Sequence, residues 1–401
     1  MIAENKRAWA HLDIFLIAVV YALAFLGIYV VAVATYSTSS SPDASLLNHV
    51  VESSYAMRQG LFVLLSPVIL SVMLAVRYQW LRRYAGLLYF AAFGFVTVVW
   101  VFNRAEGVKQ WLDLFFGFTV QPTEFAKLAI ILVMARELSK NEIPMSTFRD
   151  FVRLNLMVAV PGLIIMLSGE TGSFVVIAFM YAVMLYFAKV KIRVLAFMAG
   201  VVLLAVLAIY GYARATGSED YRLLRIVSFF NPEAYTSSSG YQQTQSMMAI
   251  GSGGLTGVGS FVDGSLYQLN YVPADWTDFI YATIGEAFGF VGCAGVLVIY
   301  FLILMRMLYL ARYTRDKFGM LIIIGVMAML LFHVFENVAM TIGLMPITGI
   351  PLPFISYGGS NMVTTMGGVG LVLNVTRNRS LAGVVATPQR QANLRRFERR
   401  Y

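Results

Sequence analysis

The chain has 401 residues, of which 59% are hydrophobic and 13% charged, with a net charge of +9 and a mean hydropathy of +0.73. Soluble globular domains carry about a quarter charged residues, so this composition excludes that class and points to a helical membrane protein. A lone cysteine, Cys293, and three histidines exclude an internal disulfide and a Cys/His metal cluster; a small buried residue is the reading for Cys293.

Apolar runs bounded by polar turns predict ten spans, at 12–35, 59–76, 84–102, 121–138, 152–168, 172–188, 192–212, 278–305, 318–344 and 352–375. No soluble domain interrupts them, so residues 1–401 read as one all-α polytopic membrane domain. The first run is too long for a cleaved signal peptide and lacks a small-residue cleavage site, so it is expected to remain as a span. The longest connection, 213–277, joins spans seven and eight, and a basic tail occupies 377–401. Most of the 30 Lys and Arg residues fall on the side of the termini, which the positive-inside rule assigns to the cytoplasm. That distribution reads as topology and attraction to anionic lipid, with no nucleic-acid partner. The chemistry-bearing loops then face outward.

Charged groups at a bilayer are costly, so each is a functional candidate. Span three is followed outside by Arg104, Lys109 and Trp111. Span four opens with QPTEFAKLAI, where Pro122 suits the first helical position. Glu124 and Lys127 stand at i, i+3 and should pair, either as a structural ion pair or as the polar wall of a cavity. Glu170 lies in the SGETGS turn between spans five and six. The long loop carries Arg222 and the segment GYQQTQSMMAIGSGGLTGVG, with Tyr241, Gln242 and Gln245; its apolar residues argue for a segment lying on the membrane surface. Asp278 stands at the mouth of span eight, either as a held, partly desolvated base or as a helix cap. Glu286 lies about two turns deeper. In span nine His333 and Glu336 form either a relay or, more simply, interhelical hydrogen bonds. GLMPITGIPLPFISYGGS, which includes Ser356 and Tyr357, is broken by its prolines and glycines. Such backbone persists at membrane depth only when packed in protein or lining a cavity. The outward cations Arg104, Lys109, Arg222 and Arg225 point to an anionic substrate such as a phosphate or pyrophosphate.

QPTEFAKLAI, GYQQTQSMMAIGSGGLTGVG, WTDFIYATIGEAFGFVG and MTIGLMPITGIPLPFISYGGSNM together resemble the signature blocks of the SEDS family (shape, elongation, division and sporulation), over nearly the whole chain. The stretch Asn337–Pro346 is more similar to RodA-type than to FtsW-type members. The resemblance implies a peptidoglycan glycosyltransferase that polymerises lipid II on the outer face of the bacterial cytoplasmic membrane, for elongation and rod shape, beside a class B penicillin-binding protein. A division or sporulation paralogue, a lipid-linked precursor flippase and a non-catalytic scaffold are the alternatives. By motif, the family's essential aspartate is Asp278, its Glu–Lys pair is Glu124 and Lys127, and its acidic turn residue is Glu170. Two positions depart: Trp276 stands where the family often has His, and Gln110 stands where it has a basic residue, with Lys109 one place earlier. Lys109, Arg104 or Arg222, or a divalent cation, would neutralise the pyrophosphate; no other cofactor is implied.

Overall fold

A computed structural model describes residues 12–36, 46–102, 111–113, 119–216, 229 and 239–398. Its helices are α1 (Ile14–Ala34), α2 (Leu46–Glu52), α3 (Ser54–Ala75), α4 (Tyr78–Phe102), α5 (Pro122–Leu138), α6 (Phe148–Leu167), α7 (Thr171–Phe187), α8 (Ile192–Thr216), α9 (Ser239–Gly253), α10 (Ile280–Arg312), α11 (Lys317–Thr341) and α12 (Gly359–Glu398). A small antiparallel pair, β1 (Leu112–Asp113) and β2 (Thr119–Val120), precedes α5, with Leu112 opposite Val120. The ten expected spans coincide in order with α1, α3 to α8 and α10 to α12. Six of these helices are both long and apolar enough to cross a bilayer by length and composition.

The differences have local causes. Span ten was expected from residue 352, but α12 begins at Gly359. Pro351 and Pro353 cannot donate to a helix, and Phe354 holds a left-handed φ of 67°. At its other end α12 runs on to Glu398, so most of the basic tail is helical. The connection 213–277 contains α9, which polar periodicity had hidden.

α11 forms the centre, 83% buried along its most apolar stretch. It packs against α5, α7, α10 and α12, while α1 lies against α3 and α10, and α4 against α5. Lipid supplies no hydrophobic drive between helices, so close approach through small residues does the packing. A Cβ at Gly325 would meet Ile131 at 2.8 Å, and one at Gly27 would meet the Phe354 carbonyl oxygen at 2.5 Å. α1 thus touches the Pro-rich segment backbone to side-chain-free backbone.

α10 is broken at Gly289 (φ 63°, ψ −161°), a conformation essentially restricted to glycine. The backbone groups around the break pair with the glycine-rich loop after α9. Val258 and Gly259 donate to the carbonyls of Glu286 and Ala287 at 2.9 and 3.1 Å, and Phe290 and Val291 donate to Gly254 and Leu255 at 2.9 and 3.1 Å. A Cβ at Gly257 would lie 2.2 Å from the Ala287 carbonyl oxygen. The glycines of GSGGLTGVG therefore let a loop serve as the missing hydrogen-bonding partner of an interrupted membrane helix.

Candidate active site

Four helices, α5, α7, α10 and α12, begin around one polar cavity of about 350 Å³. They are the fourth, sixth, eighth and tenth spans, which must all start on the same side if ten helices cross in alternation. Each brings first-turn backbone N–H groups that lack partners within the helix body and the positive end of its dipole, so the cavity favours negative charge. Into it project Glu124 and Lys127 from α5, Glu170 from the turn before α7, and Asp278 from the turn before α10. Trp111 and Tyr357 also line it.

Glu124 and Lys127 are 2% and 1% exposed and pair at 2.7 Å, as their spacing predicted. Lys127 Nζ also lies 3.0 Å from His333 Nε2 on α11. An ammonium group has donors only, so Nε2 must accept and His333 is held as the tautomer with that nitrogen unprotonated. His333 thus makes an interhelical hydrogen bond to a charged partner. Gln121 precedes Pro122 as the N-cap residue of α5, and its N–H donates to Ser360 Oγ at 3.0 Å, tying α5 to α12.

Glu170 occupies the N-cap position of α7. It accepts a hydrogen bond from Thr123 Oγ1. Burial raises its carboxyl above the usual range and the nearby Glu124 charge adds to that, while hydrogen bonds from Thr123, Gln121 and Ser173 act in the opposite direction.

Asp278 is half-buried and lies outside α10. Phe279 stands at the N-cap, and Thr277 Oγ1 donates to the Ala274 carbonyl, so neither Thr277 nor Asp278 occupies the capping position. The turn is held against the Pro-rich segment. Asn337 Nδ2 donates to the carbonyls of Asp278 and Ile350, at 2.7 and 2.8 Å. Ser356 Oγ donates to the Thr277 carbonyl at 2.6 Å and accepts from Leu352 N–H at 2.8 Å. Tyr357 N–H donates to the Trp276 carbonyl at 3.0 Å. Gly349, at φ 74°, lets the chain pass so close that a Cβ there would sit 3.2 Å from Asp278 Oδ2. Trp276 stacks on Tyr55 of α3 at 5.3 Å. The broken segment thus builds a rigid cradle for one carboxylate.

Other expected residues lie elsewhere. Ser356 supports the cradle from beneath, 2% exposed, and is not part of the cavity lining. Glu286, also absent from that lining, is 2% exposed. Its carboxylate accepts from the backbone N–H groups of Leu266 and Tyr267 at 2.6 and 3.0 Å, anchoring the loop before the Asp278 turn. Tyr241, Gln242 and Gln245 stand on α9, where Tyr241 is exposed; the buried face of that helix carries Gln243 and Ser246. Ser246 Oγ donates to the Thr341 carbonyl at 2.8 Å. Arg104, Lys109 and Arg222 lie outside the described residues. Sequence reading missed Asn361, which lines the cavity at 5% exposure with neither amide atom partnered within the protein. Its amide offers donors and an acceptor to a bound molecule. Among the described residues, no cluster of three metal-ligating side chains occurs.

Comparison with known proteins agrees with this architecture. The family described as "Cell cycle protein", covering FtsW, RodA and SpoVE, matches residues 14–381. Stage V sporulation protein E of Bacillus subtilis is 33% identical over 327 residues, covering 80% of this chain and 87% of its own. Peptidoglycan glycosyltransferase MrdB of Escherichia coli is 32% identical over 316 residues, covering 78% and 83%. A solved chain of a peptidoglycan synthase complex superposes with a TM-score of 0.73 at 26% identity, covering 92% of this chain and 98% of that one. With the match running from α1 into α12, this chain belongs to the FtsW/RodA/SpoVE family of multi-span membrane proteins.

Proposed function

We propose that this chain is a peptidoglycan glycosyltransferase that polymerises lipid II into β-1,4-linked glycan for cell elongation, with Asp278 as its base. One observation carries the reading: a carboxylate cradled by a broken, hydrogen-bonded segment in a cavity onto which four helix N-termini converge. The anomeric link to pyrophosphate in the donor is α and the polymer link is β, so the reaction inverts the sugar carbon. Inversion needs a base for the attacking 4-hydroxyl on the face opposite the leaving group. Asp278 takes that proton as the hydroxyl oxygen attacks C1, and the C1–oxygen bond to pyrophosphate breaks. The helix N-termini lower the cost of the departing negative charge, with Arg104, Lys109 and Arg222 as its further partners. The Glu124–Lys127–His333 group is already paired and shapes the wall. Asn361 and Glu170 hold the acceptor.

The orientation proposed places both termini in the cytoplasm and the cavity on the outer side, where a class B penicillin-binding protein cross-links the product. The test is glycan synthesis from lipid II by the purified protein with that partner, its transpeptidase blocked by penicillin. Wild type should make polymer; Asp278→Asn, folded and partner-bound, should make none. Polymer at wild-type rate from Asp278→Asn overturns the assignment.

A further inference from the structure

A cavity of greater volume than the one just described stands apart from it. It lies between α4, α5 and α6, at the opposite ends of the spans, with a volume of about 830 Å³. Its walls are apolar: Phe90 from α4, Val133 from α5, and Phe148, Val152 and Leu156 from α6. Phe90, Phe148 and Leu156 are 73%, 80% and 54% exposed. Its rim carries Arg136 from α5, Lys140 just beyond its C-cap, and Arg149 and Arg153 from α6, the last two spaced i, i+4 on one helical face. Among the described lining residues one carboxylate, Glu137, faces these four cations, bonding Lys140 at 2.6 Å and Arg153 at 3.2 Å. Gly86 makes room for the cluster: a Cβ there would meet the Arg136 guanidinium at 3.2 Å.

We propose that this cavity is a binding site for an anionic phospholipid of the cytoplasmic leaflet, its acyl chain on the apolar wall and its phosphate on the Arg136–Arg149–Arg153 rim. The charge balance selects an anion, and the position at a membrane-helix end selects a headgroup depth. Length argues against a partner's helix. The lining of α6 runs only from Phe148 to Met157, roughly 14 Å along the axis, whereas a spanning helix needs about 30 Å. One leaflet fits that measure. The leaflet assignment rests on the orientation proposed above; the site itself does not depend on the glycosyltransferase reading.

The test is lipid retention by the full chain in phosphatidylcholine discs with and without phosphatidylglycerol, read by native mass spectrometry. Wild type should retain phosphatidylglycerol over phosphatidylcholine. Arg149→Gln with Arg153→Gln should lower that preference about 30-fold. Because Arg153 also pairs with Glu137, Val152→Trp is the second variant: it fills the wall, leaves every charge, and should reduce retention of the lipid as well. Equal retention by wild type and both variants overturns the site. Equal retention of the two lipids by wild type overturns the anion preference, and displacement by inorganic phosphate alone would show a phosphate site with no need of a chain. A Leu156→Cys probe adds a further arm. Maleimide protection of it by phosphatidylglycerol supports the lipid; protection by the partner synthase in lipid-free micelles assigns the groove to a protein.

Discussion

Replacing Lys127 by Met isolates the value of the buried pair at the cavity wall. Glu124 and Lys127 lie 2.7 Å apart, with side chains 3% and 1% exposed. At an effective dielectric of about 20, their attraction is roughly 6 kcal/mol before desolvation is counted. Desolvation of two ions offsets most of that, so the pair has small net value, yet breaking it strands the survivor. Lys127→Met should therefore cost about 3–5 kcal/mol. Glu124→Gln combined with Lys127→Met leaves no buried charge and should cost less than Lys127→Met alone, a signature no surface pair gives. The measurement is reversible unfolding of the purified protein in mixed micelles for wild type, both single variants and the double variant. A loss below about 1 kcal/mol for Lys127→Met, the range of exposed pairs, would refute the reading, as would strictly additive single effects.

Three further outcomes follow from the geometry. Gly289→Ala places a Cβ at φ 63° and 2.4 Å from the Gly257 nitrogen, so it should cost about 3 kcal/mol or more, seen as lost thermal stability and poor folded yield. Ser356→Ala removes both hydrogen bonds that fix the Thr277 carbonyl and Leu352 N–H; it should cost about 1–3 kcal/mol and lower kcat more than KM. Burial raises the Glu170 carboxyl, so folding favours its neutral form. That contribution is complete below its ordinary pKa of 4.5 and is lost as pH rises through the higher folded value. Glu170→Gln should thus match wild-type stability in acid and gain on it towards neutral pH; thermal unfolding across pH checks this, and a pH-independent gap contradicts it.

The helices were legible because ten apolar runs and the basic bias constrain each other. Glu124 and Lys127 were legible as well, since spacing on one helix fixes a shared face. Three features were not. α9 is polar along one side and flanked by Gly and Ser, so no apolar period marks it. Glu286 reads by type as a functional carboxylate, but its acceptors' partners, the N–H groups of Leu266 and Tyr267, are backbone and leave no trace in side-chain identity. Asn361 looks like one more polar residue at a helix start; only the packing around it shows that its amide is buried and unpartnered.

The carboxylates of the chain divide by what they face. Glu286 accepts from backbone N–H donors at both oxygens, and Glu124 pairs with a lysine. Around Asp278 the backbone has been immobilised: Asn337 grips its carbonyl, Ser356 grips the carbonyl before it, and glycine at position 349 clears the space beside Oδ2. A rigidly supported turn that places a carboxylate in a cavity suits the base proposed for the substrate hydroxyl. On that proposal Asp278→Asn abolishes polymer formation while the protein still folds and binds its partner, read as glycan synthesis beside thermal unfolding; polymer at the wild-type rate contradicts it.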